Sequence, residues 1–141
     1  MLMDLRSLEK ALDLENCDAD ILEETTETVR AGVENAIASL EEPRARKERM
    51  VESLRTYRYV GDLDGLPYGS YVRWVRIDKE ARLTNGGYII EVKIEDDGPI
   101  IVCKQQLGRI FQFPFNRALV FRKLSDQEII ILRALDYAAN K

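Results

Sequence analysis

The chain has no histidine among its 141 residues. That excludes Ser-His-Asp and Cys-His triads, histidine general bases and every histidine-containing metal site. Cysteine occurs only at Cys17 and Cys103. Two thiols that far apart in sequence form no zinc knuckle, no CxxC pair and no disulfide framework. Cys103 lies in the run Ile100-Ile101-Val102-Cys103 and reads as a small buried hydrophobe. Reduced thiols point to an intracellular, cytoplasmic location. No apolar run reaches the ~20 residues that span a bilayer, so no membrane role is expected. The opening MLMDLRSLEKALDLE mixes acids into its apolar residues and does not read as a signal peptide. Phosphate-binding loops are absent too. Gly86-Gly87 and the glycines at 61, 65 and 69 lack the lysine and the strand–helix context such loops need, and they read as turn formers.

What is present is a soluble composition, 45% hydrophobic and 33% charged, with an uneven charge distribution. Residues 1–42 hold three basic side chains against twelve acidic ones, whereas residues 43–58 hold six basic against two acidic. Such a split suits an acidic arm beside a basic binding surface, or two solvated helix faces.

The first half has helical periodicity. Met1, Leu5, Leu8 and Leu12 share one face. After a break near Asn16-Cys17, with Asp18 or Asp20 as N-cap, a seam follows: Leu22, Thr26, Val29, Val33, Ala36 and Leu40, spaced as in a coiled coil. Pro43 ends that helix and opens another over roughly 44–57. The seam is the candidate oligomer interface, able instead to pack within one chain. If it joins copies, replacing Val29 and Val33 by Asp should dissociate the oligomer and leave the rest folded.

The second half has strand periodicity. Strands are expected at 70–77, 88–94, 100–104, 109–113 and 118–122. Turns fall at 61–69, at Asn85-Gly86-Gly87, at Asp96-Asp97-Gly98-Pro99 and near Gly108. Ser125-Asp126-Gln127-Glu128 is a capping box with Leu124 and Ile129 placed as a staple, so a helix closes the chain. The fold class is α+β: an N-terminal helical arm or hairpin (1–58), then a small antiparallel β-sheet or SH3/OB-like partial barrel capped by a C-terminal helix (59–141).

No catalytic set, metal site, cofactor site or small-molecule substrate site stands out. Asp62 and Asp64, and Glu95-Asp96-Asp97, read as turn carboxylates. Arg44, Arg46, Lys47 and Arg49 on the basic helix, with Tyr71, Arg73, Trp74 and Arg76 on one strand, are the candidate nucleic-acid contacts. Arginines meet phosphates and rings stack on bases. Trp74, Phe111 and Phe113 serve equally as core for a small sheet.

Three stretches, LPYGSYVRWVRID (66–78), LTNGGYII (83–90) and LSDQEIIILRALDYA (124–138), resemble small uncharacterised proteins of nucleocytoplasmic large DNA viruses. The resemblance implies a viral protein acting in an infected cell or virion. The expected function is a non-enzymatic interaction or assembly module that partners itself or another protein, with nucleic-acid binding as the alternative.

Overall fold

The computed structural model describes residues 24–139. The expected helix on Met1 to Leu12, break at Asn16-Cys17, cap at Asp18 or Asp20, and Leu22 of the seam lie outside those residues. The elements are α1 (Thr26–Ala38), α2 (Arg44–Ser53), β1 (Tyr57–Val60), β2 (Tyr71–Arg76), β3 (Gly87–Glu95), β4 (Gly98–Lys104), β5 (Ile110–Pro114), β6 (Ala118–Lys123) and α3 (Asp126–Ala139). The described residues divide into two compact units, 32–123 and a second made of 24–31 with 124–139. This division runs differently from the sequence split at residue 58, because the α2 hairpin belongs with the sheet.

Helix α1 starts at Thr26, later than an aspartate cap at 18 or 20 would put it. Its start is fixed by a pair of threonines. The Thr28 N–H donates to Thr25 Oγ1 at 3.2 Å and the Thr25 N–H donates to Thr28 Oγ1 at 2.8 Å. This is a capping box with threonine in place of the usual glutamate. Pro43 stands immediately before α2, and its carbonyl accepts from the Arg46 and Lys47 N–H groups. Helix α2 ends at Ser53, and Tyr57 belongs to β1 rather than to the helix.

In the larger unit, all six strands form one antiparallel open sheet in the order β1-β6-β2-β3-β4-β5. The five expected strands are there, and β1 is an addition. Strands β2 and β5 stand three places apart, about 14 Å in a flat sheet at ~4.8 Å per strand. Yet Trp74 on β2 stacks on Phe113 of β5, with ring centroids 4.3 Å apart and planes 19° apart. The sheet must therefore curl strongly toward that face. The link from β5 to β6 requires the same curl, since one short 3-10 turn, Phe115–Arg117, joins an outer strand to one next to the opposite edge. Inside the curl lie Val60, Val72, Trp74, Ile89, Ile101, Cys103, Phe113 and Val120, at least one from every strand. The edges β1 and β5 do not pair, so the sheet is open rather than a closed barrel.

Helices pack on part of the outer face of β1, β6 and β2, around Tyr57, Val75 and Phe121, and leave Lys123 exposed. Val33, Ile37 and Leu40 of the α1 end, with Met50 and Leu54 of α2, pack on Tyr57, Val75 and Phe121. In the smaller unit Val29 packs with Leu124, Ile131 and Leu132. The Thr26 N–H donates to Asp136 Oδ1 at 2.9 Å. The capping box is formed as expected: the Ser125 N–H donates to Glu128 Oε1 at 2.9 Å, and the Glu128 N–H donates to Ser125 Oγ at 3.1 Å.

The candidate oligomer seam is thus occupied by this chain's own residues. Val29, Val33 and Leu40 are buried, Ala36 packs on the helix–sheet core and Thr26 is bonded to Asp136. A four-three spacing records an apolar stripe on a helix; it does not record which surface covers the stripe.

Cys103 is fully buried, and burial pushes its thiol up to about 12. Burial also raises the Tyr57 phenol, with the Arg73 cation opposing. Both groups are neutral in the fold and ionise more readily in the unfolded chain. Their contribution to stability is complete below the unfolded cysteine value, near 8.5, and is lost as pH rises through the folded values. Each group adds a slope of up to ~1.4 kcal/mol per pH unit over its window. The urea midpoint should therefore fall between pH 9 and 11, and fall less steeply in Cys103→Ala. Equal slopes in the two proteins would contradict the buried-thiol assignment.

Candidate binding face on the outer sheet

Residues directly opposite in a sheet share a face. Tyr57 is opposite Lys123, Tyr71 opposite Tyr88, Tyr88 opposite Lys104, and Lys104 opposite Ile110. Val72 is opposite Arg122, which places Lys123 level with Tyr71. One row thus crosses the whole outer face: Tyr57, Lys123, Tyr71, Tyr88, Lys104, Ile110. It contains no acid. At one end the helices bury Tyr57; at the other Tyr88 is 44% exposed and Ile110 62% exposed. Next to Tyr88 in the chain, a bulge between Ile89 and Glu91 leaves Ile90 exposed as well.

Tyr88 is held from behind. Its ring meets Tyr71 edge-on, centroids 4.9 Å apart and planes 79° apart, a favoured aromatic geometry. The Tyr71 hydroxyl donates to the Asn85 carbonyl at 2.7 Å. Asn85-Gly86 belongs to the long connection between β2 and β3, not to a two-residue hairpin turn, and this connection runs back along β2. The Thr84 N–H donates to the Trp74 carbonyl at 3.0 Å, and Leu83 bridges to Val75. Gly86 has φ +94°, and a Cβ there would strike the Val72 carbonyl oxygen and the Tyr71 ring. Only glycine lets the loop close this tightly beside Tyr71.

Arg73 lies on the same face. Its Nε donates to the Thr84 carbonyl at 2.7 Å, its Nη1 donates to the Ser53 carbonyl at 3.4 Å, and the guanidinium carbon sits 5.9 Å from the Tyr57 ring centre. These contacts fix the guanidinium without neutralising it. Arg73, Lys104 and Lys123 have no carboxylate within ion-pair distance among the described residues.

The sequence candidates separate accordingly. Tyr71 and Arg73 belong to this face. Trp74, on the opposite side of the strand, is buried against Phe113 and offers no ring to a ligand. Arg76 shares Trp74's parity, and its Nε and Nη2 fork onto Asp78, each at 2.8 Å. That bond holds the Asp78 carboxyl below its ordinary range. On α2, Arg44 pairs with Glu48 at 3.1 Å and Arg46 with Glu42 at 3.3 Å. Lys47 donates to the Ala38 carbonyl at 3.1 Å, satisfying the end of α1. Arg49 has no such contact among the described residues. Arg46 and Lys47 are therefore committed to structure, whereas Arg44 makes only an exposed ion pair. Tyr88, Lys104 and Lys123, which the sequence did not single out, join the face through strand register.

The carboxylates behave as turn formers: Asp62 Oδ1 accepts the Asp64 N–H at 3.3 Å and caps a 3-10 turn. Among the described residues no three His, Cys, Asp or Glu side chains are grouped to hold a metal ion, and no helix is long and apolar enough to cross a membrane. No protein family, curated protein or solved structure matches the chain.

Proposed function

We propose that the protein is a non-enzymatic binding module that takes an extended anionic macromolecule on the outer face of β6, β2, β3 and β4. The observation that carries this reading is the row Lys123, Tyr71, Tyr88, Lys104, which holds no acid, with Arg73 beside it and, among the described residues, no carboxylate within ion-pair distance of these three cations. The free, buried Cys103 supports an intracellular site of action. Self-association through the Val29–Leu40 seam is not part of this reading, because it would require the cores around Val33 and Val29 to open.

The test uses labelled heparin fragments as a generic polyanion at low salt. The full chain should bind them with an affinity that falls as salt rises. Lys104→Glu with Lys123→Glu should weaken binding at least tenfold, and Arg44→Glu with Arg49→Glu should weaken it little. No binding, or equal losses from the two double variants, would overturn the reading.

A further inference from the structure

We infer that the anionic chain this face takes is single-stranded nucleic acid, an inference that rests on the polyanion reading above. A purely electrostatic site needs cations and nothing else. Here two adjacent rings stand between two cations along one row, in the order Lys123, Tyr71, Tyr88, Lys104. Tyr88 keeps 44% of its surface exposed. The edge-on Tyr71 and the Tyr71–Asn85 hydrogen bond hold the platform in place before any ligand arrives. A nucleic-acid base can stack on such a ring while flanking phosphates meet Lys104 and Lys123, which is the recurring chemistry of single-strand recognition.

The dimensions fit a short segment. From Lys123 to Lys104 the row crosses three strand spacings, about 14 Å, room for a few nucleotides. A duplex keeps its bases stacked on one another and cannot lay one on Tyr88, so the row selects unpaired strands. A sulfated polysaccharide or an acidic peptide would satisfy the lysines but gain nothing from the Tyr88 ring face.

The experiment is fluorescence anisotropy of the full chain with a labelled twelve-nucleotide oligo(dT), beside an abasic oligonucleotide of equal length and charge, the corresponding duplex, and an oligoglutamate peptide. Oligo(dT) should bind about tenfold or more tightly than the abasic strand, the stacking of roughly one base. With three cations engaged, the log–log salt slope should be about −2. Tyr88→Ala should reduce oligo(dT) affinity to the abasic level, and Tyr88→Phe should retain it. Unchanged Trp74 emission will show that each variant is folded. If the abasic strand, duplex or peptide binds as well as oligo(dT), or Tyr88→Ala changes nothing, the nucleic-acid inference is overturned while the polyanion reading stands. If neither heparin nor any oligonucleotide binds, both fall.

Discussion

Replacing Phe113 by alanine is expected to cost about 3–5 kcal/mol, the range for emptying an aromatic site in a packed core. Phe113 is 1% exposed and stacks on Trp74 across the mouth of the curled sheet. It is the contact through which β5, at one edge, reaches β2. Removing it takes away both the buried area and the ring pair that maintains the curl. Against a typical domain stability of ~5–15 kcal/mol, the loss should move the urea midpoint strongly. Trp74 is the only tryptophan, so its emission reports the event directly: it should shift to the red under native conditions. A variant with wild-type stability and emission would mean that the sheet holds its curvature without this pair.

The second large effect is expected from Val33→Asp. Val33 is 2% exposed and packs among Ile37, Leu40, Met50, Leu54, Tyr57, Val75 and Phe121. A carboxylate there would be set among apolar side chains, and an unpaired buried charge costs several kcal/mol. Tertiary structure in the 32–123 unit should be lost, seen as coincident loss of helical circular dichroism and of buried Trp74 emission. An oligomer seam predicts otherwise: dissociation with Trp74 unchanged. Light scattering on the same sample separates the two. Val29→Asp should instead disturb the cluster of Leu124, Ile131 and Leu132.

Much of this architecture is legible in the sequence, for local reasons. Alternation, the capping box and the proline boundary are set within a few residues, and the five expected strands and the α3 start follow from them. Strand β1 escaped because YRYV is only four residues long and directly follows a helical pattern. The Asn85-Gly86-Gly87 turn is legible, and Gly86 takes positive φ, but turn chemistry does not reveal that it closes a long connection between the neighbouring strands β2 and β3. The seam was legible as a stripe but not as to its partner. The binding face was the least legible. Tyr71 and Arg73 are visible on one strand, but Tyr88, Lys104 and Lys123 become their neighbours only through a register set over long sequence distances. The parity that puts Trp74 on the opposite side of the strand was also visible in the alternation; what covers that side was not.

The most direct test of the binding face is an amide chemical-shift titration of the full chain with oligo(dT). The account predicts the largest changes at Tyr71, Arg73, Tyr88, Lys104 and Lys123, on four adjacent strands of one face. Changes confined to Arg44–Arg49 of α2 would contradict it, placing the ligand on the basic helix instead.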